Sequence, residues 1–275
     1  MSDTDIDKSD RIPRLERVAM VLEAINRTDQ GLTLVEISAQ TGMPMPSAHR
    51  LVNNMLDAGF LVGQRGRSRY RIGPRLIRIF QSSLSLETLQ ALTEPTLQKL
   101  ADRFGQVAYL VRLVQDSIQL AVTVLPSSPS RNLIYPGNVF PLNATASAKA
   151  LLAFQSEAVI DQQLQGPLEK YRPNTIVDPE KLKARLAAVR AQGYAISDDE
   201  FDPGVYSICC PVLIGSAGAL YGVGIVALKE RLLMSFDTET VIQSLTEAAD
   251  ELRATLQSTG LHAVSDGEGE GDART

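Results

Sequence analysis

The stretch Thr33-Leu-Val-Glu-Ile-Ser-Ala-Gln-Thr41-Gly-Met-Pro-Met-Pro-Ser47-Ala-His-Arg-Leu-Val-Asn-Asn-Met-Leu-Asp-Ala-Gly59 decides how the N-terminal part of this chain folds. Thr33 is an N-cap residue, and Glu36, three positions on, completes a capping box. Leu34, Ile37 and Ser38 then share one helical face, with Val35 nearby. Gly42 can take the left-handed conformation that ends a helix. Pro44 and Pro46 forbid continuation and favour a fresh start near Pro46 or Ser47. Leu51, Val52, Met55 and Leu56 give the second helix an apolar stripe that faces Val35 and Ile37 across the turn, and Gly59 stops it. Two short strands follow, Phe60 to Gln64 and Arg69 to Ile72, joined by Arg65-Gly66-Arg67-Ser68. Helix, tight turn, helix and basic β-ribbon in that order spell a winged helix-turn-helix, a shape that fits the DNA major groove.

The candidate DNA contacts follow from that geometry. A recognition helix turns its N-terminal residues to the groove, and its free N–H groups favour phosphate. Thr33, Pro46, Ser47, His49, Arg50 and Asn53 are the helical candidates; Arg65, Arg67 and Arg69 are those of the hairpin. Arg50 suits a guanine edge or a phosphate, and the sequence does not choose. A plain solvated helix face is the alternative. Alternation along Arg69-Tyr70-Arg71-Ile72 places the arginines outward and the apolar pair inward. Residues 43 to 80 carry seven arginines against Asp57, a local charge of +6, whereas the whole chain is −5. The acidity lies elsewhere, so the overall balance does not exclude nucleic acid.

The 275 residues suggest two domains. No apolar run approaches the ~20 residues that span a bilayer, and the acidic start, Met1-Ser-Asp-Thr-Asp, does not read as a signal peptide. Cys209 and Cys210 are the only cysteines and are adjacent, which fits a cytoplasmic protein without disulfides. With no Cys-x-x-Cys and no histidine pair, neither a metal nor another cofactor is expected. The expected organisation is a tail at 1–13, a winged helix-turn-helix domain at 14–75, a linker or dimerisation helix at 76–92, an α+β effector-binding domain at 93–259 and a Gly/Glu/Asp-rich tail at 260–275. Arg14 to Asn26 reads as a helix with Leu15, Val18, Leu22 and Ile25 on one side. A long helix starts at Pro74, and Pro95 breaks or restarts it before a second runs to Phe104. Its stripe suits either a homodimer seam, which groove readers commonly need, or packing within one subunit. Beyond Gly105, strands are expected at 106–114, 117–125, 194–197, 205–213 and 219–229, with helices near 142–154, at 179–192 and from 237 to about 258.

Five stretches, taken together, resemble the isocitrate-lyase-regulator (IclR) family of bacterial transcription factors. They are Ser47-Ala-His-Arg-Leu51, Tyr70-Arg-Ile-Gly-Pro-Arg-Leu76, Pro141-Leu-Asn-Ala-Thr-Ala-Ser-Ala-Lys-Ala-Leu-Leu-Ala153, Gly193-Tyr-Ala-Ile-Ser-Asp-Asp-Glu200, and Pro203-Gly-Val205 leading into Cys209-Cys-Pro-Val212. The resemblance implies a GAF-like effector domain for a small organic or aromatic acid, a double-stranded DNA operator, catabolic target genes, and a homodimer, often a dimer of dimers. It places the effector at Asn143, Thr145, Ala146, Ser147, Ser197, Asp199, Ser207, Cys209, Gly224 and Val226. This chain departs from the family where relatives commonly have His at 143, Gly at 148, an acid at 197, Cys at 207 and Ser at 224 and 226. The nearly apolar strand around Gly224 suits a larger, more apolar effector, or is simply buried core. Small residues at Ala144 to Ala148 suit a ligand at a helix start, or close helix–sheet packing. Lys149 reads as a surface or ion-pair residue. The acids Asp198, Asp199, Glu200 and Asp202 read as a solvated or gating loop in preference to an acid–base or metal site.

Two other function classes remain open: a DNA-binding protein without an effector, and an enzyme on the sheet domain. The second lacks its tools. The only histidines are His49 and His262, far from the sheet in sequence, and no glycine-rich phosphate loop occurs.

Overall fold

A computed structural model describes residues 13–28, 30–63, 69–128 and 133–262. The chain divides into two compact units: one runs to Phe80 and includes Gly215–Ala217; the other holds the remainder.

In the first unit, α1 spans Arg14–Asn26, α2 Leu34–Thr41 and α3 Met45–Asp57. The capping box forms: Glu36 N–H donates to Thr33 Oγ1 at 3.3 Å, and Thr33 N–H donates to Glu36 Oε2 at 2.7 Å. Gly42 closes α2 at φ 68°, where a Cβ would be strained. Ser38 Oγ ties the turn by donating to the Met43 carbonyl at 2.6 Å. α3 begins one residue earlier than expected, because Pro44 serves as its N-cap and Pro46 falls in the first turn, where a proline costs no hydrogen bond. Its inner face is Ala48, Val52 and Met55, packed with Val21, Ile25 and Ile37 into one core. Leu51 and Leu56 are only partly buried there. Val35 is 66% exposed and Leu15 83% exposed, so neither joins the core assigned to it from periodicity.

The wing strands are shorter than expected. β1 is Leu61–Val62 and β2 is Arg71–Ile72, paired antiparallel as Leu61 with Ile72 and Val62 with Arg71. Tyr70, 2% exposed, adds a bridge to Leu32. The expected turn containing Arg65 and Arg67 lies outside the described residues. Gly73 is required where it stands: a Cβ would collide with the Gly59 carbonyl oxygen and lie 2.7 Å from the Phe60 carbonyl carbon.

The long helical segment is two helices. α4 covers Pro74–Ser83, and α5 covers Leu86–Phe104 with Ser85 as N-cap, accepting from Thr88 N–H at 3.1 Å. The cap at Ser85 sets the break there. α5 then continues through Pro95, which corrects the expected interruption. A proline removes one main-chain bond, and the buried Leu89, Thr93, Leu97 and Leu100 hold the helix through it.

In the second unit β3 (Val107–Val114), β4 (Ser117–Val124), β5 (Ala195–Asp198), β6 (Val205–Leu213) and β7 (Ala219–Leu228) form an antiparallel sheet ordered β4-β3-β7-β6-β5. α6 (Ala146–Leu152) and α8 (Pro179–Gln192), the latter capped by Asp178, serve one face. α10 (Thr238–His262) serves the other. Adjacent strand residues point to opposite faces: Cys209 packs with Ala146 and Leu182, while Cys210 Sγ lies 3.9 Å from Thr246 of α10. Two short helices escaped the sequence reading, α7 (Glu157–Gln163) and α9 (Lys229–Ser235). One turn or two carries little periodicity, although Ser156 does cap α7.

Candidate functional site

The first unit offers a polar helix face. Beneath it Ala48, Val52 and Met55 are buried; on the outside Pro46, His49 and Arg50 are exposed, with Ser47 and Asn53 half-buried. Asn53 Nδ2 lies 3.3 Å from the His49 ring nitrogens, one turn away on the same face. No side chain caps the start of α3, which leaves its first N–H groups without the usual partner.

Two candidates prove committed elsewhere. The Thr33 hydroxyl donates to Glu36 Oε2 at 2.9 Å as part of the cap. Arg69 donates to the Gly31 carbonyl at 2.8 Å and pairs with Glu36 Oε1 at 3.3 Å. The Thr33 amide, more than Arg69, holds the Glu36 carboxyl below its usual range. Arg75, counted among the basic residues, donates to the Ala58 carbonyl at 3.2 Å and sits over the Phe60 ring. Arg71 is exposed. Arg65 and Arg67 fall outside the described residues.

The second unit gathers most of the expected effector residues on the α6 face of the sheet. Cross-strand register aligns Val226 with Ser207 and Ser207 with Ser197 in one row, and Gly224 with Cys209 and Cys209 with Ala195 in the next. Above them lies α6, capped by Thr145, whose hydroxyl accepts from Ala148 N–H at 3.3 Å. Ala146 and Ser147 are buried.

Most of their polar side chains are already partnered. Ser197 Oγ donates to the Ala144 carbonyl at 2.7 Å. Asn143 Nδ2 donates to the Glu169 carbonyl at 2.9 Å and the Ile176 carbonyl at 2.8 Å, stapling a loop. Asp199 lies in the acidic loop at the end of β5; it accepts from Gly204 N–H at 2.8 Å and pairs with Arg172 at 3.4 Å, and these hold its carboxyl below the usual range.

Tyr109 is the residue that sequence reading missed. It stands on β3 opposite Gly224, is 2% exposed, and its hydroxyl accepts from Ser147 Oγ at 3.1 Å. Burial pushes its phenol pKa up. The room that an apolar β7 was expected to leave for a larger effector therefore holds this ring. The only advance signal was a tyrosine in the mostly aliphatic first half of a strand.

The acidic loop is a set of ion pairs. Asp198 pairs with Lys229 at 2.6 Å, Asp199 with Arg172, and Glu200 with Lys149 at 2.7 Å. Lys149 is fully buried; its ammonium also donates to the Ile196 carbonyl at 2.7 Å. It is an ion-pair residue and not a surface one. Burial lowers its pKa and the Glu200 carboxylate opposes that. Among the described residues no group of three His, Cys, Asp or Glu is placed to hold a metal. A surface cleft of about 890 Å³ opens beside this loop, lined by Arg172, Asn174, Asp199, Lys229 and Met234. Only Asp199 of the expected effector residues reaches it, and Arg172, Asp199 and Lys229 are engaged in the pairs just described. The sheet–α6 face is the better candidate site. Burial pushes the Cys209 thiol up and the Cys210 thiol to about 11, so neither is a ready nucleophile.

Comparison with known proteins bears on the family and the fold. Residues 14–65 match the model of the IclR helix-turn-helix domain, and 81–254 match that of the bacterial transcriptional regulator IclR C-terminal domain. The chain is 28% identical over 221 residues to the glycerol operon regulatory protein of Streptomyces griseus, covering 80% of this chain and 87% of that one. It is 29% identical over 201 residues to the transcriptional repressor IclR of Escherichia coli K12, covering 69% and 70%. Solved structures share the fold: an IclR homologue of Microbacterium hydrocarbonoxydans complexed with 4-hydroxybenzoate has a TM-score of 0.55 at 24% identity, covering 90% of this chain and all of that one. The IclR transcriptional regulator of Alicyclobacillus acidocaldarius has 0.56 at 24%, covering 90% and 99%. These relatives are regulators and not enzymes, and among the described residues no helix is long and apolar enough to cross a membrane. The chain belongs to the IclR family of bacterial transcriptional regulators.

Proposed function

We propose that this regulator binds a double-stranded operator through α3 and changes that binding when a small organic acid occupies the α6 face of the sheet. One observation carries the DNA half: α3 buries Ala48, Val52 and Met55 while His49 and Arg50 stand exposed on the other side. Ser47, Arg50, His49 and Asn53 read the groove or its phosphates. Pro46, Arg65, Arg67 and Arg69 take supporting places, with Arg69 orienting the hairpin through Glu36. Binding as a homodimer, or a dimer of dimers, matches paired half-sites; Leu86, 48% exposed at the start of α5, is suited to such a seam. Control of catabolic genes is supported by relatives named for a glycerol operon and an acetate operon. An organic-acid effector is supported by the neighbour complexed with 4-hydroxybenzoate.

A second reading, DNA binding without an effector, is favoured by one observation: Asn143, Ser147 and Ser197 already bond within the chain. Gel-shift titration over the flanking genomic DNA, with and without a panel of organic acids, decides between them. Retardation that an acid shifts supports the proposal; retardation that no acid alters, with no change in melting temperature, supports the second reading. No retarded complex even in low salt sinks both.

A further inference from the structure

The Tyr109 ring depends on bare backbone beneath it. A Cβ at Gly224 would stand 2.5 Å from both Cζ and Oη of Tyr109 and 2.8 Å from the Ile208 carbonyl oxygen. At Gly222 a Cβ would stand 2.8 Å from Cys209 Sγ. Glycine at 224 is thus what lets a phenol occupy this place. The Tyr109 hydroxyl accepts from Ser147 Oγ at 3.1 Å, and Ser207, on the strand beyond β7, lies in the row next to that of Gly224. Ser147 is buried, whereas Ser207 is partly exposed. The hydroxyl is thus anchored on the buried side, and Ser207 marks the more open side of the same face.

Building on the effector reading above, we infer that Tyr109 is the specificity-determining residue of this site. Seated over Gly224, it closes the site to ring-bearing acids and admits a short acid, held at Ser207 and by the Tyr109 hydroxyl. A ring-bearing acid must expel a buried tyrosine, which weakens its apparent affinity about 100-fold. A short acid leaves the ring seated and uses the hydroxyl as a donor, since that oxygen receives Ser147's proton and keeps its own to give.

The test is calorimetric titration of the full chain with acetate, lactate, succinate, 4-hydroxybenzoate and p-cresol, the last being the tyrosine side chain itself. Tyr109→Ala should bind p-cresol, which the wild type does not, and should gain at least about tenfold for 4-hydroxybenzoate, as a cavity of matching shape takes up the group removed from it. Tyr109→Phe keeps the ring and should lose affinity for the short acid without gaining either ring probe. If Tyr109→Ala fails to fold, Tyr109→Leu opens part of the same space and should show the same direction. Wild type binding 4-hydroxybenzoate as tightly as the alanine or leucine variant overturns the inference. Entry of p-cresol with no acid binding to any form overturns the effector reading, and this inference with it, while leaving the ring's placement intact.

Discussion

The two units keep their polar residues in opposite ways. In the first, the candidate contacts ride outward on α3 over a buried Ala48, Val52 and Met55. In the second, the candidates are turned inward and bonded to one another or to main chain, as with Ser197 to the Ala144 carbonyl and Ser147 to Tyr109. A DNA groove approaches a protein from outside, so its reader can stay solvated until contact. An effector within a sheet–helix layer must replace bonds the protein already makes, so each of its contacts is an exchange.

That contrast can be broken most severely at Lys149. Removing one member of a buried ion pair leaves the other charge unpaired, at about 3–5 kcal/mol, and Glu200 Oε2 already lies buried without a hydrogen-bond partner among the described residues. Lys149→Met should lower the stability of the second unit by about 3 kcal/mol in urea unfolding, with Lys149→Met/Glu200→Leu recovering much of the loss. A loss below about 0.5 kcal/mol for the single variant would mean that the pair does not hold α6 to the loop.

On the exposed side, Arg50→Ala should weaken operator affinity by about 1–3 kcal/mol and leave acid binding unchanged. Repeating the titration at several salt concentrations sharpens it: a phosphate contact lowers the salt slope by about one unit, and a base contact relaxes sequence preference instead. Thr33→Ala should cost about 1 kcal/mol through loss of the α2 cap, read by thermal unfolding. A smaller loss would show that the Arg69–Glu36 pair suffices.

The smallest expected effect is a pH dependence. Asp199 has a lowered folded pKa, chiefly from the Gly204 amide. Its contribution is fully present above the ordinary value of 3.8 and is lost as pH falls through the lowered one. Asp199→Asn should therefore lower the melting temperature slightly at neutral pH and converge with the wild type as the pH falls below about 4, which flattens the acid limb. Equal acid limbs would show that the Gly204 bond adds nothing.

Much of the first unit was legible because its rules are local. The Thr33–Glu36 box, Gly42 and Pro44 each act within one turn of chain. The strand order of the second unit and the partners of its side chains are not local. Nothing near Lys149 in sequence announces Glu200, and nothing near Gly224 announces Tyr109, since both pairs are made by register and by helix placement. Short elements such as α7 and α9 offered too little periodicity, and Pro95 misled because a local penalty was outweighed by the buried face of α5. The aligned row of Ser197, Ser207 and Val226 was legible only through family resemblance.

One carboxylate, Glu36, receives both the start of α2 and the arm of Arg69 that leads into β2. The start of α2 and the chain entering β2 are consequently clasped at a single oxygen pair, as by a rivet. Loss of that one carboxylate would loosen two elements at once, the helix start and the strand.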